Sequence, residues 1–182
     1  MSGSASRWTT ARQRYSGQAA ELTVDMGQPA LTSTVPEPIT VADMPLCFIG
    51  VDMGNPHAVY FLDQNPALCA DSVSALDLAA FGEAFETHSR FPERVNSEFV
   101  EVIRPNEINF RVWERGSGET LACGTGAAAA VYAGFCAGKL ENEVLVHLLG
   151  GDLLVRFEPE SGHCFLSGSA EEVFDGMIQK DP

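Results

Sequence analysis

The sequence predicts an α+β fold from three observations. Runs of alternating apolar residues are joined by tight turns, one long alanine-rich helical run covers residues 127–137, and Gly and Pro punctuate the stretches between them. Residues 1–21 show no sustained periodicity and are rich in Ser, Thr, Gln and Arg, so they are expected to be a flexible leader or remnant. Leu22-Thr23-Val24 is strand-like, and Pro36, Pro38 and Pro45 after it predict an extended linker, giving an edge strand and linker over residues 22–45. Residues 48–52, the turn Gly54-Asn55-Pro56-His57 and residues 58–62 read as strand, turn and strand. Residues 75–85 carry apolar positions at helical spacing and predict a surface helix whose role is packing.

Residues 99–103 and 108–113 predict a hairpin around Arg104-Pro105-Asn106-Glu107, and the second strand delivers Glu114 and Arg115. Gly138 suits the stop of the long helix, and residues 144–148 pair with 152–157 across Gly150-Gly151. Residues 164–168 and 172–176 are the last strands expected. The hexapeptides of residues 24–29 and 51–56 differ only at Gln28 and Asn55, either as two strand-to-turn corners or by coincidence, and they predict nothing functional.

The chain has 182 residues, enough for one good core or two small lobes, and a formal charge of −14 from 25 acidic and 11 basic residues. That charge repels nucleic acid and anionic membranes, so neither is expected as a partner. No run has the apolar length of a membrane helix and no secretory signal pattern opens the chain, so a cytoplasmic setting is expected. Five cysteines with no CxxC pair predict reduced thiols, and His88, His147 and His163 have no ligand spacing, so no metal is expected.

Chemistry concentrates in residues 114–126, Glu-Arg-Gly-Ser-Gly-Glu-Thr-Leu-Ala-Cys-Gly-Thr-Gly. Cys123 is placed at a helix start, where unpaired N–H groups and the positive dipole end favour a thiolate. Gly124 and Gly126 let the backbone approach a ligand, and the first-turn N–H groups suit a carboxylate or phosphate. Taken singly, a free cysteine is more often a small buried apolar residue. Glu119 is expected to tie the loop to a backbone N–H near the helix start.

This stretch, with Met53-Gly54-Asn55-Pro56-His57 and the Phe-Pro-Glu-Arg-Val-Asn-Ser-Glu-Phe-Val of residues 91–100, resembles the second half of a diaminopimelate epimerase. The resemblance implies a mixed, mostly antiparallel sheet wrapped around one central helix. It implies epimerisation of LL- to meso-diaminopimelate in lysine biosynthesis by two thiols, one base and one acid, without pyridoxal phosphate or any other cofactor. Lys139 and Lys180 are the only lysines, and neither sits in a cofactor-like motif. Cys123 matches one catalytic thiol, and Glu114 and His57 match the groups that tune the thiols. Asn55, Asn96 and Arg115 match contacts to the substrate, and Gly124 and Thr125 match the cradle of its α-carboxylate.

The family's first lobe carries its own cysteine in a CGNG-type turn, which this sequence does not show. Residues 22–45 are therefore expected to be the edge of a missing first lobe, 46–171 the second lobe, and 172–182 a final strand and tail packing on the first lobe. The chain alone is expected to have little activity and to form a homo-oligomer or pair with a first lobe. A proline racemase-like isomerase and a non-catalytic binding or assembly protein are the alternatives. A dinucleotide turn at residues 124–129 is disfavoured because no alternating βαβ chain surrounds it.

Overall fold

The computed structural model describes residues 20–170. The strands are β1 (Ala20–Gly27), β2 (Ala30–Leu31), β3 (Glu37–Val41), β4 (Met44–Asp52), β5 (Pro56–Phe61), β6 (Asn96–Arg104), β7 (Glu107–Glu114), β8 (Gly118–Glu119), β9 (Glu143–Leu148), β10 (Gly151–Glu158) and β11 (His163–Ala170). The helices are α1 (Leu78–Glu86) and α2 (Gly124–Cys136). The sheet runs β1-β11-β10-β9-β7-β6-β5-β4-β2, with β3 added to β4 and β8 to β7. β5 and β6 are parallel, as are β7 and β9, and each parallel pair is bridged by one helix, as a parallel crossover requires. The remaining pairs are antiparallel, so the fold is α+β.

The two helices take opposite faces. One core gathers Ala127–Val131 and Ala133 of α2 against apolar residues of β4 to β7 and β9 to β11. The other gathers Leu78 and Phe85 of α1 with Phe48, Tyr60 and Phe99 of the central strands. α2 is apolar on every side, and its alanines let the strands approach closely around it. It ends as expected at Gly138, where Lys139 N–H reaches Gly134 C=O at 2.9 Å and Gly138 N–H reaches Phe135 C=O at 3.0 Å, the paired bonds of a Schellman stop.

Residues 22–45 differ from the expected linker. They contribute β2, β3 and most of β1 to the same sheet as the following strands, with Pro38 in β3 opposite Cys47. Proline is tolerated there because β3 lies off the main strand path, where a missing donor removes no essential ladder bond. β1 starts at Ala20, inside the stretch expected to be a leader, and pairs with β11 over its whole length. The two near-identical hexapeptides form the same strand-to-turn corner. Asp25 Oδ1 accepts from Gly27 N–H at 2.9 Å, and Asp52 Oδ1 from Gly54 N–H at 2.7 Å. The rest of the leader, the expected strand at 172–176 and the tail lie outside the described residues.

His147 on β9 bonds Glu107 of β7 at 2.9 Å and Asp152 of β10 at 2.8 Å, which raises its pKa above the usual 6.5. A raised histidine stabilises the fold fully below its unfolded value and loses that contribution as pH rises through the folded value. Urea midpoints of the wild type should therefore fall as pH rises above 6.5, and His147→Gln should flatten that part of the profile. An unchanged slope in the variant would refute this.

Candidate active site

Register brings the candidate residues to one end of the central strands. His57 of β5 lies beside Asn96 of β6, and Ser97 lies opposite Trp113, next to Glu114 and Arg115 at the end of β7. The α2 N-terminus meets the same end, with Cys123 as its N-cap in extended backbone. Cys123 Sγ accepts from Gly126 N–H at 3.4 Å and lies 3.6 Å from Thr125 Oγ1.

The expected thiolate is not what this environment favours. Cys123 is 7% exposed, and burial, then the charge of Glu98, pushes its thiol up to about 11 against the weaker pull of Thr125 and Gly126. Desolvation outweighs the helix dipole because the sulfur sits inside the core rather than at an exposed helix end.

His57 is buried in β5 rather than free in the turn. Its Nε2–H donates to Asn55 Oδ1 at 3.0 Å, and its Nδ1 is 2.6 Å from Glu98 Oε1. An amide oxygen only accepts, so Nε2 carries a hydrogen, and Nδ1 and Oε1 hold the next proton between them. The side-chain bonds of His57 thus run to Glu98 and Asn55, and Glu98 in turn lies beside Cys123. Gly126 is what allows Glu98 so close: a β-carbon there would fall 3.0 Å from Glu98 Oε1 and 3.2 Å from both Cys123 Sγ and Phe110 Cζ.

Asn96 staples two turns. Its Nδ2 donates to Pro56 C=O at 3.1 Å, and its Oδ1 accepts from Arg115 N–H at 2.9 Å. The exposed Arg115 guanidinium donates to Glu93 C=O at 3.1 Å. Glu114 accepts from the Thr120 hydroxyl and adds a minor upward push on Cys123. Glu119 differs from its expected role: it accepts from Arg111 at 2.7 Å, tying β8 to β7 rather than capping α2. A cavity of about 440 Å³ opens beside Asn55 and His57 and is also lined by Arg90, Phe91, Glu93 and Arg94. His57 lines this cavity, whereas Cys123 and Glu98 do not.

Two acidic residues that the sequence left unassigned organise this end. Glu98 is 0% exposed, and its Oε2 makes no hydrogen bond among the described residues. Glu86 at the end of α1 accepts from Trp113 Nε1 and Gly116 N–H, each at 2.9 Å, and from Arg94 Nη1 at 3.1 Å. The sequence offered for Glu98 only a charge within the strand run 96–100, which a solvent-facing position would explain equally well.

A protein named diaminopimelate epimerase from Agathobacter rectalis is 42% identical over 179 residues, covering 88% of this chain and 60% of that protein. A second of that name from Brachyspira hyodysenteriae is 46% identical over 147 residues, covering 81% of this chain and 49% of its own. The chain therefore spans about half to three-fifths of the length of these relatives. The structure is similar to a hydroxyproline epimerase from Agrobacterium vitis with bound trans-4-hydroxy-L-proline, at a TM-score of 0.65 and 14% identity over 88% of this chain and 54% of that one. It is also similar to a probable proline racemase from Agrobacterium radiobacter K84, at 0.61 and 14% over 85% and 54%. At that identity the likeness is one of fold. The family described as diaminopimelate epimerase matches residues 49–173, and with the level of identity above this shows that the chain belongs to the diaminopimelate epimerase family.

Proposed function

We propose that this chain supplies one half of a cofactor-independent diaminopimelate epimerase, acting in the cytoplasm in lysine biosynthesis, with Cys123 as one of its two acid/base thiols. The observation that carries this reading is Cys123 as the cap of α2, meeting the family's matched residues at one end of the sheet. Inverting a stereocentre removes a proton from one face and returns one to the other, so a second acid/base group must stand opposite Cys123. None of Cys47, Cys69, Cys136 and Cys164 bonds to Cys123 or perturbs its thiol. A second body, either a first lobe or another copy of the chain, supplies that group in this reading.

Two features support such a covering body. Leu121 and Leu149 are 69% and 57% exposed beside the Cys123 loop, which Gly150 N–H joins to Leu121 C=O at 2.8 Å. Arg115 is exposed at the same end, and it remains able to grip a substrate carboxylate through its unused donors.

The test is exchange of the α-proton of diaminopimelate in deuterated water, with the chain alone and with an added first half of a longer relative. Label is expected only in the mixture, and Cys123→Ala should abolish it, a loss of at least ~10³-fold for removal of a nucleophile or acid/base group. Equal exchange with and without Cys123 would overturn the reading.

A further inference from the structure

Glu98 is a buried acid that the acid/base scheme above does not use. It stands on β6 between His57 of β5 and the α2 N-terminus. Oε1 takes the short bond to His57 Nδ1, and Oε2 is enclosed with no hydrogen-bond partner among the described residues. Through the gap left by Gly126, Oε1 and Cys123 Sγ both lie within about 3 Å of one point. We propose that Glu98 is the positioning residue of this site: it fixes the His57 imidazole by sharing a proton with Nδ1, and its charge beside the sulfur holds Cys123 as the protonated thiol.

An unpartnered carboxylate oxygen is costly to bury, and a hydrophobic residue in this strand would pack without that cost. Glu98 is therefore explained by what its charge does to its neighbours. Those neighbours are His57 and Tyr60 from β5 and Cys123 at the N-cap of α2, where Glu114 of β7 adds a weaker push of the same sign on the sulfur. Burial pushes the Glu98 carboxyl up to about 7, while the charge and hydrogen bond of His57 and the nearby amides of Ala58 and Glu98 pull it down. The carboxyl thus changes charge near neutrality, where a small change at His57 or in the adjoining cavity redirects it. A ligand that draws Asn55 away from Nε2 would move the proton between Nδ1 and Oε1 and so alter the field at the sulfur. The balance is simple: one proton passes from nitrogen to oxygen or back, and no other group gains or loses one.

The meaning of this device for epimerisation rests on the function proposed above, but its test does not need substrate. Alkylation of the full 182-residue chain by iodoacetamide is followed against pH, with each cysteine-containing peptide quantified by mass spectrometry. In the wild type, Cys123 should react with a midpoint near 11. Glu98→Gln keeps the shape and removes the charge, so the midpoint should fall by on the order of one unit and the reaction at pH 9 should speed up roughly tenfold. His57→Gln leaves the carboxylate unpaired and should not lower it.

Cys164, fully buried, reports the fold within the same digest: it should stay unreactive while exposed Cys69 reacts. If Glu98→Gln releases Cys164, Glu98→Asp carries the test, because it retains the charge and should retain the high midpoint. The proposal is overturned by a folded Glu98→Gln with the wild-type midpoint, or by a folded Glu98→Asp whose Cys123 reacts as readily as Cys69. Loss of the diaminopimelate activity alone would leave the midpoint shift standing, and an absent shift beside intact exchange would remove only the role of Glu98.

Discussion

Replacing Glu86 by alanine is expected to lower folding stability by about 2 kcal/mol, because it leaves the half-buried Trp113 Nε1 and the Gly116 N–H without their acceptor and breaks the ion pair to the exposed Arg94. The carboxylate holds Trp113 Nε1, Gly116 N–H and Arg94 Nη1 at once, and its own backbone carbonyl accepts from Val95 N–H at 3.2 Å. These partners put its pKa below the ordinary carboxylate value in spite of burial, so the charged form is the one the fold uses. The side chain thereby joins α1 to the turn after β7 and to residues 91–95, which line the cavity beside Asn55. Urea denaturation at pH 7 gives the measurement, with Glu86→Gln recovering part of the loss because its amide oxygen still accepts. A cost below about 1 kcal/mol for Glu86→Ala would show that water replaces the carboxylate without strain.

The second large effect is expected from Gly126→Ala. Helix propensity alone favours alanine there by about 1 kcal/mol, yet the added methyl would meet Glu98 Oε1, Cys123 Sγ and the Phe110 ring together. Overpacking of this kind costs about 1–3 kcal/mol, so steric conflict wins and the net change is destabilising. The larger consequence is chemical: the methyl wedges the acid from the sulfur, and the Cys123 alkylation midpoint should fall along with the stability. Thermal melts and the alkylation profile measure the two effects separately. A variant more stable than wild type, with an unmoved midpoint, would contradict the packing described around Gly126.

Much of the architecture was legible because it is local. The hairpin of β6 and β7, the hairpin of β9 and β10, the corner between β4 and β5, and the stop of α2 at Gly138 all follow from alternation and turn residues within about a dozen positions. β2 and β3 were hidden because three prolines mimic a linker, and their pairing to β4 is a tertiary fact. The candidate residues were legible as a set through the family resemblance, and register then brought Asn55, His57, Asn96, Glu114, Arg115 and Cys123 to one end of the sheet.

What could not be read was burial. His57 and Glu98 are 41 residues apart, and Trp113 and Glu86 are 27 apart, so nothing in their own neighbourhoods announces the pairs. For the same reason the helix end beside Cys123 was legible and the burial that pushes its thiol up was not.

The alanine helix ringed by strands sets where motion can occur. Its backbone amides should be among the last in the molecule to exchange with solvent, since opening it means parting most of the sheet. Any opening of the site is then expected in the exposed rims around Gly54, Arg115 and Glu93 rather than in the helix whose cap carries the sulfur.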